Sequence, residues 1–335
     1  MPVINRNQSE RHEKSTFVPT IAVVLNAFKR GAALEQQFDA VMMQSAPPSE
    51  ILIWQNERHF EIPRRLMKEA TIGQSNRNLG VWARLAFSLN ARAEFICVLD
   101  DDTIPGARWF ENCLTTMSTH EGLLGARGLR FRSPRTYMNA EDIGWGHPNE
   151  KVEKVDIVGH AWFFRREWLS TFWLEQPPPD FDSRVGEDMH FSYTLSKYLG
   201  LNTYVPPHPM GCLDLWGSLP EFGNLYGSSE VGISSDLDSQ TRFDRAYKFY
   251  VGRGLILTLP RSRKNDLHAA VLNIIFNVRL RSFIRKFPKL RNVIRTLRRT
   301  SKDGQSKTLP VEGRQREINP ANDIVPTCTT GLDKN

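Results

Sequence analysis

Apolar and polar positions alternate in blocks along the first third of the chain. Residues 20–25 (Thr-Ile-Ala-Val-Val-Leu) form an apolar, β-branched run that predicts a strand. Leu34, Phe38, Val41 and Met42 then recur on one face at helical spacing, and Pro47-Pro48 stops that helix. Residues 50–54 predict a second strand, which ends at Gln55-Asn56. Trp82, Leu85, Ala86 and Leu89 mark a second helix leading to residues 95–99, a third apolar run. A short run that is apolar without interruption suits a strand buried on both faces of a parallel sheet. The alternation predicts right-handed crossovers and an α/β fold: a Rossmann-like, mostly parallel sheet with helices on both faces.

The second half is less regular. Residues 109–117 read as a helix, and 123–131 and 155–164 as strands added antiparallel to the sheet. Pro177-Pro-Pro179 is a hard break. Gly186-Glu187-Asp188 opens an amphipathic helix that runs to Leu199. A strand at 202–205 is ended by Pro206-Pro207-His208-Pro209, and 244–251 reads as helical. Between them, 211–239 is rich in Gly and Ser, as expected of a mobile loop over a site. From Leu272 onward, Ile275, Phe276, Leu280, Phe283, Phe287, Leu290, Ile294 and Leu297 recur at helical spacing, with Pro288 as a kink.

Composition narrows the class. At 335 residues, 40% hydrophobic and 24% charged, the chain is an ordinary globular sequence with room for one large domain or two small ones. No apolar run reaches the ~18 residues that span a bilayer. Residues 1–15 are polar and lack an apolar core, so no secretory leader is expected there. Cys97, Cys113, Cys212 and Cys328 form no Cys-x-x-Cys pair; neither a disulfide framework nor a zinc site is expected, and a reducing, cytoplasmic compartment fits. The net charge of +7 is concentrated. Nine of the 44 Lys and Arg lie between Arg279 and Arg299 with no acid among them, which leaves 35 basic against 37 acidic residues elsewhere, a balance of −2. The expected organisation is a disordered 1–17, one α/β domain over 18–260, a basic amphipathic helical extension over 261–300 and a disordered 301–335. The basic segment suits an anionic membrane surface, peripheral on its inner face. A solvated face packed on the domain is the alternative, and no recognisable nucleic-acid module accompanies it.

The candidate chemistry is acidic. The third strand runs directly into Asp100-Asp101-Asp102, at the sheet rim where ligands of open α/β sheets bind. Adjacent carboxylates repel, and a hard divalent cation such as Mg²⁺ or Mn²⁺ relieves that while taking up substrate phosphates. The bland alternative is a solvated acidic turn. Glu187 and Asp188 are a second centre, for which capping of the helix dipole is the bland alternative.

Several motifs stand in a telling order: Asn26 to Arg30 closing strand one, Gln44-x-x-Pro-Pro-x-Glu50-Ile, Asn56 closing strand two, Asn78-Leu-Gly80, Asp100-Asp-Asp102, and Gly186-Glu187-Asp188 at a helix start. This series resembles the GT-A nucleotide-sugar glycosyltransferases, above all glycosyltransferase family 2, over about residues 20–209. The acidic triplet and the surroundings of Arg30 are also similar to the exostosin-like transferases. The resemblance implies a GT-A fold and Mn²⁺ or Mg²⁺ as cofactor. It implies a UDP or GDP type of sugar donor and a glycan or lipid-linked acceptor, with no nucleic acid. It places Asn26, Arg30 and Asn56 around the base and Asn78 and Arg84 near ribose or diphosphate. Asp102 falls on the metal, Asp100 on the ribose side, Asp101 between them, and Trp162 beneath the sugar. His208 would be a further metal ligand, although its Pro-rich setting equally suits a structural role. Asp188 would be the catalytic base with Glu187 beside it, and Trp216 a loop residue covering the donor. The middle acid of the triplet leaves the ligand assignment open. Gln-x-x-Arg-Trp, the signature of processive synthases, is missing, so a non-processive enzyme is expected. Family 2 implies inversion, the exostosin-like transferases retention.

Two other classes compete. Haloacid-dehalogenase-like phosphatases also place Asp-x-Asp after a strand, but it continues Gly-Thr on the first strand, whereas here Thr103-Ile104 follow the third. A non-catalytic nucleotide-sugar-binding or scaffold protein would keep the fold without needing both acidic centres.

Overall fold

The computed structural model describes residues 19–179, 181–227 and 237–258. The expectations for 1–17, 261–300 and 301–335 fall outside these residues.

The predicted opening alternation is present. β1 (Ile21–Ala27), α1 (Gly31–Met42) and β2 (Glu50–Gln55) follow one another as the pattern requires. The stretch before the next predicted helix holds two further elements, α2 (Arg64–Glu69) and an edge strand β3 (Thr71–Gln74). α3 (Trp82–Phe87) and β4 (Phe95–Leu99) complete this half. After α4 (Trp109–Thr119), the predicted strand at 123–131 is broken in two. β5 (Gly122–Leu124) joins the main sheet, and β6 (Arg127–Phe131) leaves it for a small sheet with β7 (Ala140–Gly144). The strand predicted over 155–164 is likewise three: β8 (Glu153–Val155), β9 (Ile157–Gly159) and β10 (Ala161–Arg165). α5 (Leu169–Phe172), α6 (Glu187–Leu199) and β11 (Asn202–Val205) follow. The Gly- and Ser-rich stretch contributes α7 (Pro220–Gly227), and α8 (Leu237–Arg253) is longer than its predicted 244–251.

The main sheet has the order β3-β2-β1-β4-β10-β5-β11-β8, and the small one β7-β6-β9. β3, β2, β1 and β4 are mutually parallel, as are β5 and β11, whereas β10 and β8 run against their neighbours. Every residue of β4 is buried, so the sheet is covered on both faces there, as its unbroken apolar sequence demands. Inserting β10 antiparallel beside β4 sets Ala161 opposite Leu99. The residue before β10 therefore meets the residues after β4 at one rim. A second apolar cluster, with Phe131, Ile157, Met189, Tyr193, Tyr247 and Tyr250, fastens α8 over α6 and the small sheet.

Candidate active site

The acidic turn after β4 is pinned from below. Gln37 on α1 is 1% exposed and donates Nε2 to the carbonyls of Asp100 (2.7 Å) and Thr103. Gln44 at the same helix's end donates to Gly106 O at 2.7 Å and accepts from Phe110 N at 3.1 Å. The Asp100 backbone N–H donates to His160 O across the β4–β10 junction at 3.0 Å. His160 holds φ at +71°, the left-handed region that a β-carbon disfavours by about 1–3 kcal/mol. That backbone aims its ring at the aspartates: one ligand atom each from Asp100, Asp102 and His160 lies within 4.8 Å of the others. Trp145 backs the imidazole, ring centroids 5.1 Å apart. Two carboxylates and an imidazole form a donor set that fits a divalent cation such as Mn²⁺.

Cations surround the triplet. Arg30, at the start of α1, pairs with Asp101 and approaches Asp102 at 3.8 Å. Arg84 is a buried guanidinium on α3. One Nη donates to Asp100, the other to Glu187 Oε1 at 2.8 Å, and its Cζ lies 4.4 Å from the centroid of the Trp162 ring. Arg84 and Trp162 thus build the floor of the site. Burial opposes the Arg84 charge, but Asp100 and Glu187 outweigh it and raise its pKa. Burial raises the Asp101 carboxyl to about 6 against the pull of Arg30. Asp102 is raised by burial and by the Asp100 charge beside it. Burial lowers His160, although both aspartates favour its charged form.

The second centre is the first turn of α6. Gly186 holds φ at +90° immediately before it. Asp188 Oδ1 accepts the free Met189 N–H at 2.7 Å, so the capping role anticipated for an acid here is present. Burial raises Asp188 to about 6 and Glu187 to about 8, in the latter case against the attraction of Arg84. Asp188 also feels the charge of Arg127 on β6, whose Nε and Nη2 both bond Asp142 Oδ1 (2.8 and 2.6 Å).

The structure brings Arg30, Arg84, Asp100, Asp101, Asp102, Trp162, Glu187 and Asp188 together, with His160 added. The sequence points to Trp162 in this stretch but not to His160, because the antiparallel strand expected over 155–164 shows no break between Gly159 and Ala161. Asn26 lies at the adjacent end of β1, opposite Trp54. Asn56 is committed to its own loop: Nδ2 donates to Asn78 Oδ1 (3.0 Å) and Gly80 O (3.2 Å), and Oδ1 accepts Leu79 N (2.8 Å). Asn78 Oδ1 also accepts Gly80 N at 2.8 Å, so this pair shapes the loop that precedes α3. His208 is elsewhere. It is fully buried, its Nδ1 donating to Pro206 O (2.8 Å) and its Nε2 accepting Gly217 N (3.2 Å), with both ring nitrogens thereby occupied. Burial drops its pKa to about 4, and its ring packs against Trp109 and Trp216. Trp216 is equally fixed, 2% exposed, with Nε1 bonded to Pro209 O at 2.9 Å. The Pro-rich segment is a structural knot.

No protein-family model matches the chain, and no curated protein sequence matches it. Solved structures do. The chain is similar to a mannosyltransferase from Pyrobaculum calidifontis in complex with GDP-Man and Mn²⁺, at 14% identity and a TM-score of 0.40, over 87% of this chain and 89% of that one. It is similar to glucosyl-3-phosphoglycerate synthase from Mycobacterium tuberculosis, in complex with Mn²⁺, UDP and glucosyl-3-phosphoglycerate, at 16% identity and a TM-score of 0.40, over 56% and 69%. It is also similar to residues 1–349 of S. aureus TarS in complex with UDP-GlcNAc, at 14% identity and a TM-score of 0.44, over 77% and 72%.

Proposed function

We propose that the protein is a metal-dependent glycosyltransferase that moves one sugar from a UDP- or GDP-type donor to the hydroxyl of a glycan or lipid-linked acceptor, with inversion and without processive elongation. The observation that carries this reading is the pairing of a metal-type donor set at the end of β4 with a raised-pKa carboxylate at the start of α6, joined through one arginine. Asp100, Asp102 and His160 would hold the divalent ion, which would supply positive charge against the departing diphosphate. Asp188 is the base. Its Oδ2 takes the proton of the acceptor hydroxyl while that oxygen bonds to the anomeric carbon and the bond to the diphosphate breaks, its electron pair leaving with the diphosphate. A pKa near 6 leaves the carboxylate ionised at neutral pH yet more basic than an exposed aspartate. Arg84 and Trp162 would floor the donor side, and the rim residues Asn26 and Arg30 would face the donor's nucleobase.

The test is a thermal-shift and hydrolysis screen of nucleotide-sugars with and without Mn²⁺. Bound ligand raises the melting temperature by mass action. One UDP- or GDP-sugar is expected to stabilise the wild type only with Mn²⁺, and Asp102→Ala to abolish the shift. Asp188→Asn is expected to keep the shift while transfer falls by about 10²–10⁴-fold. If no nucleotide-sugar shifts the wild type under either condition, the transferase reading fails; turnover of simple phosphate esters would then favour a phosphatase.

A further inference from the structure

Arg84 stands between two groups of carboxylates that the proposed chemistry uses separately. Its fork is split, one Nη on Asp100 and the other on Glu187 Oε1 at 2.8 Å. The guanidinium lies over the Trp162 face, its Nε makes no hydrogen bond, and its side chain is 3% exposed. Among the described residues, the two carboxylates and one aromatic face set the orientation of the fork. Asp100 is also one of the three groups that converge for the cation. A metal ion and Arg84 therefore draw on the same carboxylate, and whatever hold Arg84 loses there it can regain at Glu187.

We propose that Arg84 is a positioning residue that couples the metal subsite to the α6 carboxylates. Occupation of Asp100 by the cation shifts the arginine's hold onto Glu187 and fixes the first turn of α6, where Asp188 sits. The inference rests on the metal reading above and adds a link between its two halves. Glu187 is not among the converging ligand groups, yet its charge must be felt in metal affinity. Neutralising it throws the whole of Arg84 onto Asp100, in direct competition with the ion. A coupling free energy is reciprocal and typically gives factors of about 5–150.

The experiment is a Mn²⁺-binding cycle, with free Mn²⁺ followed by electron paramagnetic resonance and no nucleotide present. It uses wild type, Glu187→Gln, Arg84→Gln and the double variant, with the folding of each confirmed by circular dichroism. Glu187→Gln is expected to weaken Mn²⁺ about 5- to 10-fold in the wild-type background and by less than about twofold in the Arg84→Gln background. If Arg84→Gln does not fold, Arg84→Met replaces it with the same expectation, because a long neutral side chain fills the space over Trp162 and removes the competing cation. An unchanged Mn²⁺ affinity in Glu187→Gln overturns the link. So does an equal loss in both backgrounds, which is plain charge removal. No Mn²⁺ binding by the wild type overturns the metal reading itself, an outcome distinct from a failed cycle.

Discussion

At the scale of single residues, the site keeps groups that the fold alone would not choose. Asp188 is half-buried at the helix start, and burial lifts its carboxyl to about 6. The folded state thus holds that proton more tightly than the unfolded chain, whose aspartates titrate near 4. Its favourable share is complete below about pH 4, is lost as pH climbs from about 4 to 6, and above that range the ionised group is a standing cost. Asp188→Asn keeps an oxygen for Met189 N–H and removes the charge. It is expected to be more stable than wild type by about 1–2 kcal/mol at pH 8, with the gap closing by pH 4, as read by urea unfolding. His160 makes the same point through its backbone. His160→Gly is expected to relieve about 1 kcal/mol of left-handed strain. The melting temperature without metal then does not fall, while the Mn²⁺-dependent shift disappears.

At the scale of elements, the first turn of α6 is built jointly with the loop before α3. Val81 N donates to Ser183 O at 2.7 Å, and Trp82 Nε1 to Val185 O at 3.0 Å. Gly80 sits at φ +77°, and a β-carbon there would run into the Ser183 carbonyl. Gly80→Ala is expected to cost about 2–3 kcal/mol in urea unfolding, through both the backbone and the clash. The strands and helices of the first half were legible because each buries a face with a clear period. The start of α6 was legible from its Gly-Glu-Asp signal. What the sequence hid was where the strands break and which groups they bring together. Apolar runs at 123–131 and 155–164 look the same whether they stay in one sheet or change sheets, so the splits at 125–126 and around Asp156 and His160 did not show. The resemblance points to His208 in the Pro-rich segment, where a histidine with both nitrogens bonded to backbone looks no different on paper from a ligand. The resemblance puts Arg84 near ribose or diphosphate, and nothing in a helix pattern reveals a carboxylate contributed from 103 residues away.

At the scale of the whole molecule, charge is distributed unevenly along the chain. Among the described residues no helix is long and apolar enough to cross a membrane. The basic stretch at 279–299 supplies the reason to test a membrane surface. The full chain is expected to co-sediment with phosphatidylglycerol vesicles at low salt, to release in about 0.5 M salt, and to ignore phosphatidylcholine. Arg285→Glu with Lys286→Glu and Lys289→Glu is expected to abolish the binding; retention by that variant would refute the surface contact. The seam between β4 and β10 has a consequence for synthesis. Two aspartates follow one strand, the histidine precedes the other, and about sixty residues separate them, so no fragment ending before His160 contains all three converging groups. While the ribosome is still adding the small sheet, the nascent chain offers a metal only loose carboxylates, and domains form from the N-terminal side as synthesis proceeds. On the proposed metal reading, an ion would therefore join strands β1, β4 and β10 that are already made, and would not be the template on which they pair.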